Sequence, residues 1–109
     1  MVQNQEHGPL TETVFYVMLA LHEPMHGYGI MQRASEMSGG RVTIGPGTLY
    51  GALTTLVEKG WIAPLDVGVG DRKKVYLITE AGRAVVRAEL TRLKELLDSG
   101  RRITGRESR

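Results

Sequence analysis

Apolar positions along the chain change their spacing several times, and each change marks an element. Between Thr11 and Leu21 they lie almost all round a helical wheel, at Val14, Phe15, Val17, Met18, Leu19 and Leu21. A helix of that kind is buried on more than one side. Thr11 or Thr13 caps it, Glu12 stands in its first turn, where the helix dipole favours an acid, and Pro24 ends it. A second helix is expected from about His26 to Met37, with Tyr28, Ile30, Met31, Ala34 and Met37 as its stripe. Gly27 and Gly29 are costly inside a helix. They point to close backbone approach, either to the next helix or to a phosphate. Ser38-Gly39-Gly40 stops this helix, and Arg41 to Ile44 reads as a short extended link.

The segment from Gly45 to Ile62, GPGTLYGALTTLVEKGWI, is the most informative stretch. Proline behind a glycine suits the first helical position. Leu49, Leu53 and Leu56 then recur at i, i+4 and i+7, one buried face of a third helix, and Gly60 supplies a left-handed stop. Trp61, Ile62 and Leu65 form a short apolar strand. The loop VGVGDRKK and a second strand, VYLI, follow. Helix, strand, basic loop and strand make a winged helix. A fourth helix is expected from the Thr79 cap to about Ser99, before Gly100. Val86, Leu90, Leu93 and Leu97 are spaced as a heptad seam, widened by Val85 and Leu96. Such a stripe beyond a finished winged helix needs a further surface, and a second copy of the chain is the natural one.

The fold class expected is mainly α with a two-stranded β wing: a winged helix-turn-helix followed by a long C-terminal dimerisation helix. The division is a flexible segment over 1–10, a DNA-binding winged helix over 11–78, the dimerisation helix over 79–100 and a basic tail over 101–109. A chain of 109 residues has room for one domain. Its net charge of +2 carries little information, but the distribution of charge does. Residues 1–40 hold Glu6, Glu12, Glu23 and Glu36 against Arg33 alone, whereas Arg72-Lys73-Lys74 cluster in the wing and four arginines close the chain. Clustered cations are the footprint of a nucleic-acid binder. With no cysteine, disulfides and thiolate metal sites are excluded. The apolar run from Val14 to Leu21 is too short to span a bilayer and lacks the basic flank of a signal peptide. No membrane association and a cytoplasmic location are expected.

Three motifs in order, HGYGIMQ from His26, GPGTLYGAL from Gly45 and DRKKVYLITEAGR from Asp71, resemble those of the PadR-like transcriptional regulators. The resemblance runs from about Thr11 to Leu97, and the single C-terminal helix is similar to that of the smaller subfamily. It implies a homodimer joined through helix 1 and the C-terminal helix, acting on DNA, most often as a repressor. Some relatives respond to phenolic acids or hydrophobic drugs. Val75 stands where the family often has an aromatic residue, and Tyr76 keeps that character one position later.

In a helix-turn-helix the second helix of the motif enters the major groove. With Leu49 facing the core, Gly47, Gly51, Thr54 and Glu58 lie opposite, with Thr48 and Thr55 on one flank and Tyr50 on the other. Threonines donate, accept or touch a thymine methyl. The face carries no Arg, Lys, Asn or Gln for a bidentate base contact, so shape and phosphate contacts are expected to carry more of the recognition. Arg72, Lys73 and Lys74 are expected to track the DNA backbone. His26 and Tyr28, at the start of helix 2, and Arg41 are further phosphate candidates.

The dimer-interface candidates are Phe15, Met18, Leu19, Val86, Leu90, Leu93 and Leu97. A cleft at the two-fold axis, lined by Phe15, Met18, Leu93, Leu96 and Leu97, would take a flat hydrophobic effector. The partners expected are thus a palindromic double-stranded DNA, a second copy and a small hydrophobic ligand. Two rival readings are weaker. Gly45, Gly47 and Gly51 spell a glycine pattern suggestive of dinucleotide binding, but Pro46 interrupts the turn and no βαβ unit has room to form. A winged helix that binds protein rather than DNA is the other. No cofactor is expected, since His7, His22 and His26 match no zinc spacing. No catalytic pair is visible, and the carboxylates are expected on solvated helix faces.

Overall fold

The computed structural model describes residues 8–65 and 74–105. Four helices and three short strands follow in the order α1 (Glu12–Ala20), β1 (Met25–His26), α2 (Gly27–Met37), α3 (Pro46–Glu58), β2 (Ile62–Leu65), β3 (Val75–Ile78) and α4 (Glu80–Thr104). Each helix starts where a local signal places it. Thr11 accepts the amide of Val14 at 3.1 Å, His26 that of Gly29 at 3.2 Å and Thr79 that of Gly82 at 3.0 Å. Helix α3 has no side-chain cap and starts instead on Pro46.

The core lies where α1, α2 and α3 meet the sheet. Met18, Leu21, Ile30, Leu49, Leu53, Leu56 and Ile62 are fully buried, joined by Ile78, Val85 and Val86. The spacing of Leu49, Leu53 and Leu56 is what turns one face of α3 inward.

The expected two-stranded wing is present, and a third strand that was not expected joins it, giving an antiparallel sheet in the order β1-β3-β2. Ile62 pairs with Ile78 and Leu65 with Val75 to make the wing, while Met25 and His26 pair with Tyr76 and Val75 on the other edge. Two residues after Pro24 have no periodicity to display, so this strand exists only through its distant partner.

Chain reversal after α3 depends on Gly60, whose φ of +78° is the left-handed value that a side chain disfavours. The amide of Trp61 then donates to the carbonyl of Leu56 at 3.0 Å, and the Trp61 carbonyl accepts the amide of Thr79 at 3.0 Å. The Thr79 hydroxyl donates to the Gly60 carbonyl at 2.7 Å while its oxygen caps α4. Gly82 lies directly under this joint. A Cβ there would collide with the Trp61 carbonyl oxygen and come within 2.7 Å of Ile78 Cγ1.

Several expectations need correction. Met18 and Val86, expected at a dimer interface, are enclosed in the core of a single chain (0% and 3% exposed), so neither has surface to offer a partner. Leu10, assigned to the loose N-terminal segment, is half-buried and packs on the core. Helix α4 does not stop before Gly100 but runs on to Thr104, with Arg101 and Arg102 in its last turn. One exposed glycine costs about 1 kcal/mol, too little to end a helix, and the two arginines complement its negative end. Finally, Glu89 is not on a solvated face: it is 2% exposed.

Gly82→Ala is expected to destabilise the fold by about 3 kcal/mol or more, because backbone rather than a side-chain tip must move. Gly100→Ala, where a Cβ meets nothing within 4 Å, should instead stabilise by up to about 1 kcal/mol. Urea denaturation of the two variants checks the contrast.

Candidate nucleic-acid interface

Because Leu49, Leu53 and Leu56 face the core, the opposite face of α3 is left to solvent. Gly47, Thr48, Tyr50, Gly51, Thr54 and Thr55 are all exposed, as the helical rotation predicts. Among the described residues, a Cβ built on Gly47 or Gly51 meets no atom within 4 Å. Glycine in a helix costs stability, and the fold itself draws no compensating contact from these two. Thr54 spends its hydroxyl proton on the Tyr50 carbonyl, at 3.0 Å, so towards a ligand it presents oxygen lone pairs. Among the described residues Thr48 and Thr55 form no such bond, and a threonine hydroxyl can donate or accept.

Strand β1 assembles the rest of this surface. Pairing of His26 with Val75 sets the start of α2 beside the root of the wing, one residue from exposed Lys74. The close approach of α2 to α3 puts the Tyr50 ring against Gly27, where a Cβ would meet Tyr50 Cζ at 3.0 Å and Leu49 Cδ2 at 3.3 Å. Tyr50 nevertheless keeps half its surface in solvent, and Tyr28 is more exposed still. Tyr76 lies beneath. Burial raises its phenol above the ordinary range, with the nearby Tyr50 adding to the effect. Tyr76 is thereby held as the neutral phenol. The start of α2, the Tyr50 side of α3 and the start of β3 are thereby brought together.

Two candidates are placed differently. His26 is the N-cap of α2, and its Nδ1 is occupied by the Gly29 amide, so only the other edge of its ring can reach a phosphate. Arg41 pairs with Glu12 at the start of α1. The Glu12 hydrogen bond, reinforced by its charge, raises the guanidinium above its usual range, and a phosphate would have to displace that pair. Arg72 and Lys73 lie outside the described residues.

Along one flank of α3 an open cleft of about 320 Å³ is lined by Leu10, Val14, Ala52, Lys59 and Trp61 together with Gly51 and Thr55, so it borders on the outer face of the helix. The Lys59 ammonium sits 5.0 Å above the Trp61 ring, a cation–π contact. Sequence reasoning missed this cleft, whose walls come from segments far apart in the chain. Among the histidines, His22 turns Nδ1 to the carbonyls of Met18 and Leu19 at the end of α1, at 3.0 and 3.2 Å.

The remaining surface feature is α4. Its first turns pack on the body through Gly82, Val85 and Val86, and from Leu90 onward it projects. Leu90, Leu93, Leu96, Leu97 and Ile103 stand uncovered along it. A contiguous apolar stripe of this kind marks an interaction surface. No helix among the described residues is long and apolar enough to cross a membrane.

Comparison with known proteins agrees with this arrangement. The model of the transcriptional regulator PadR-like family matches residues 16–88. A PadR-like transcription factor from Bacteroides fragilis is 27% identical, with a TM-score of 0.68 over 83% of this chain and 87% of that one. A PadR family transcriptional regulator from Eggerthella lenta is also 27% identical, with a TM-score of 0.67 over 83% and 75%. An uncharacterized 37.1 kDa protein in transposon TN4556 of Streptomyces fradiae is 38% identical over 86 residues. Those residues are 78% of this chain but 23% of that protein, so the chain spans about a quarter of the length of this curated relative.

Since the space beside Gly51 is empty, Gly51→Ala is expected to raise the stability of the isolated protein by roughly 1 kcal/mol. Thermal or urea denaturation reads this directly. A loss of stability would mean that the outer face of α3 packs against its own chain.

Proposed function

Because the chain belongs to the PadR-like family of transcriptional regulators, we propose that it acts as a homodimeric repressor on a palindromic operator. The observation that carries this reading is the outer face of α3. It is exposed along its length, it is lined by glycines and hydroxyls, and the fold has no use for its two empty glycine positions. A helix stripped of bulk can lie deep in a major groove, with its backbone close to the base edges. Thr48, Thr54 and Thr55 supply acceptors, donors and methyl groups there.

Phosphate contacts position the helix. Lys74 with Arg72 and Lys73 on the wing, and Tyr28, Tyr50 and the outer edge of His26 at the start of α2, would hold the DNA backbone on either side of the groove. The positive end of α2 adds to the attraction. Selectivity then comes more from groove shape than from bidentate base contacts.

Dimerisation would bury the stripe of Leu90, Leu93 and Leu97 on α4, with Phe15 and Leu19 of α1, both half-buried in the single chain. A two-fold dimer sets its recognition helices about one DNA turn apart, roughly 34 Å. A repressor of this form works by occupying its operator. A flat hydrophobic ligand held between the two arms at Leu93, Leu96 and Leu97 would release it if it binds the DNA-incompetent spacing more tightly.

Fluorescence anisotropy with the DNA upstream of the chain's own gene, against a scrambled duplex, tests the reading. Specific binding is expected, weakening with salt at a log–log slope near −5 if a dimer neutralises about six phosphates. Replacing Arg72, Lys73 and Lys74 by Gln should flatten that slope on both duplexes alike. Gly51→Ala should weaken operator binding about tenfold or more while leaving the slope unchanged, since a methyl group held off the bases costs close contact and not charge. Equal affinity for operator and scrambled duplex would contradict a sequence-specific regulator. Absence of binding at low salt would favour a winged helix that docks protein.

A further inference from the structure

Glu89 is the only buried charged side chain among the described residues. Burying a carboxylate is expensive, and replacing a buried ion pair with apolar residues of similar size is often neutral or stabilising. Its retention therefore calls for a reason other than stability. The pattern on α4 sharpens the point. Val85, Glu89, Arg92 and Leu96 form one row along the helix, at spacings of four, three and four, so a charged pair interrupts an apolar row midway.

The location of that interruption is informative. Upstream, Gly82, Val85 and Val86 are buried against the body, and immediately downstream the exposed leucines begin. Glu89 thus sits where α4 leaves the body and becomes the projecting arm. One carboxylate oxygen accepts the Leu10 amide at 3.2 Å, next to the Thr11 cap of α1. Arg92 grips the group from the arm side, with Nε 3.0 Å from Oε1 and Nη2 2.5 Å from Oε2. The positive end of α1 favours the same charge. One group thereby ties the start of α1 to the first turn of the arm. A directional, charge-assisted clamp fixes an angle, whereas an apolar contact at the same place tolerates sliding.

We propose that Glu89 is a positioning residue that sets the angle between α1 and the arm of α4, and thereby the separation of the two α3 helices in the dimer. The inference rests on the homodimer reading above. In this account the carboxylate governs which half-site spacing the protein accepts, without touching DNA.

The chain has no cysteine, so a single spin label can be attached at Glu58→Cys, an exposed position at the end of α3. Double electron–electron resonance on the full chain then measures the distance between the two α3 helices without DNA. The corresponding unlabelled proteins, with Glu58 intact, are titrated with operator duplexes lengthened or shortened by one base pair between half-sites. With Glu89 present, a single narrow distance and about a tenfold preference for one spacing are expected. Glu89→Met should remain a folded dimer. Its distance distribution should broaden or shift by about 3 Å or more, the rise of one base pair, and its spacing preference should largely vanish. Glu89→Gln keeps an acceptor for the Leu10 amide but loses the charge, and should fall between the two. If Glu89→Met does not fold, Glu89→Gln carries the test. Unchanged distances and spacing preference in a folded variant overturn the proposal. Lack of any dipolar signal in the Glu89 protein overturns the dimer reading itself, and this inference with it. A dimer with the expected distances that binds no DNA contradicts only the DNA-binding reading.

Discussion

Everything beyond α3 hangs on the backbone of Trp61. Its amide closes the end of α3 on Leu56, and its carbonyl takes the Thr79 amide at the start of α4. The first turn of α4 then presses so closely on that carbonyl that only a glycine fits at position 82. Gly60 makes the reversal possible, and the Thr79 hydroxyl binds its carbonyl. Helix, wing and arm therefore meet at one hydrogen-bonded joint. The joint that carries the arm thus lies within three residues of Glu58, the end of α3. This short mechanical path links the arm to the end of α3.

The second constraint is economy of surface. The inner row of α3 secures the fold through three leucines, whereas a Cβ at Gly47 or Gly51 on the outer row would meet no atom of the described residues within 4 Å. Stability is thus carried by one side of the helix, and the function proposed above assigns recognition to the other. Glycines on the outer row lower helix stability, a cost that makes sense only if close approach to something outside the chain is required. The same separation recurs along α4, where the buried first turns belong to the domain and the exposed leucines belong to whatever covers them.

Much of this was legible in the sequence because the signals are local. Thr11, Pro46, Gly60 and Thr79 mark their boundaries by capping chemistry, and the leucine row of α3 marks its buried side by spacing alone. What escaped depends on distant partners. Strand β1 is two residues long and is created by pairing with β3. Helix α1 is apolar all round, so its pattern could not tell Met18, which faces its own core, from Phe15 and Leu19, which keep some exposure. Val86 was drawn into the heptad seam by spacing, although the packing of α4 on the body claims it first. Glu89 was the most instructive omission. A Glu and an Arg three apart within an apolar row are a visible irregularity, and its meaning emerged only when Leu10 was found against it.

In the function proposed above, two copies of α3 address DNA together, one turn apart on one face of the duplex. Hydroxyl-radical footprinting of the purified protein on the DNA upstream of its gene tests this most directly. The account predicts two symmetric protected windows whose centres are separated by about 10 base pairs. One isolated window, or even protection along the whole fragment, would contradict it.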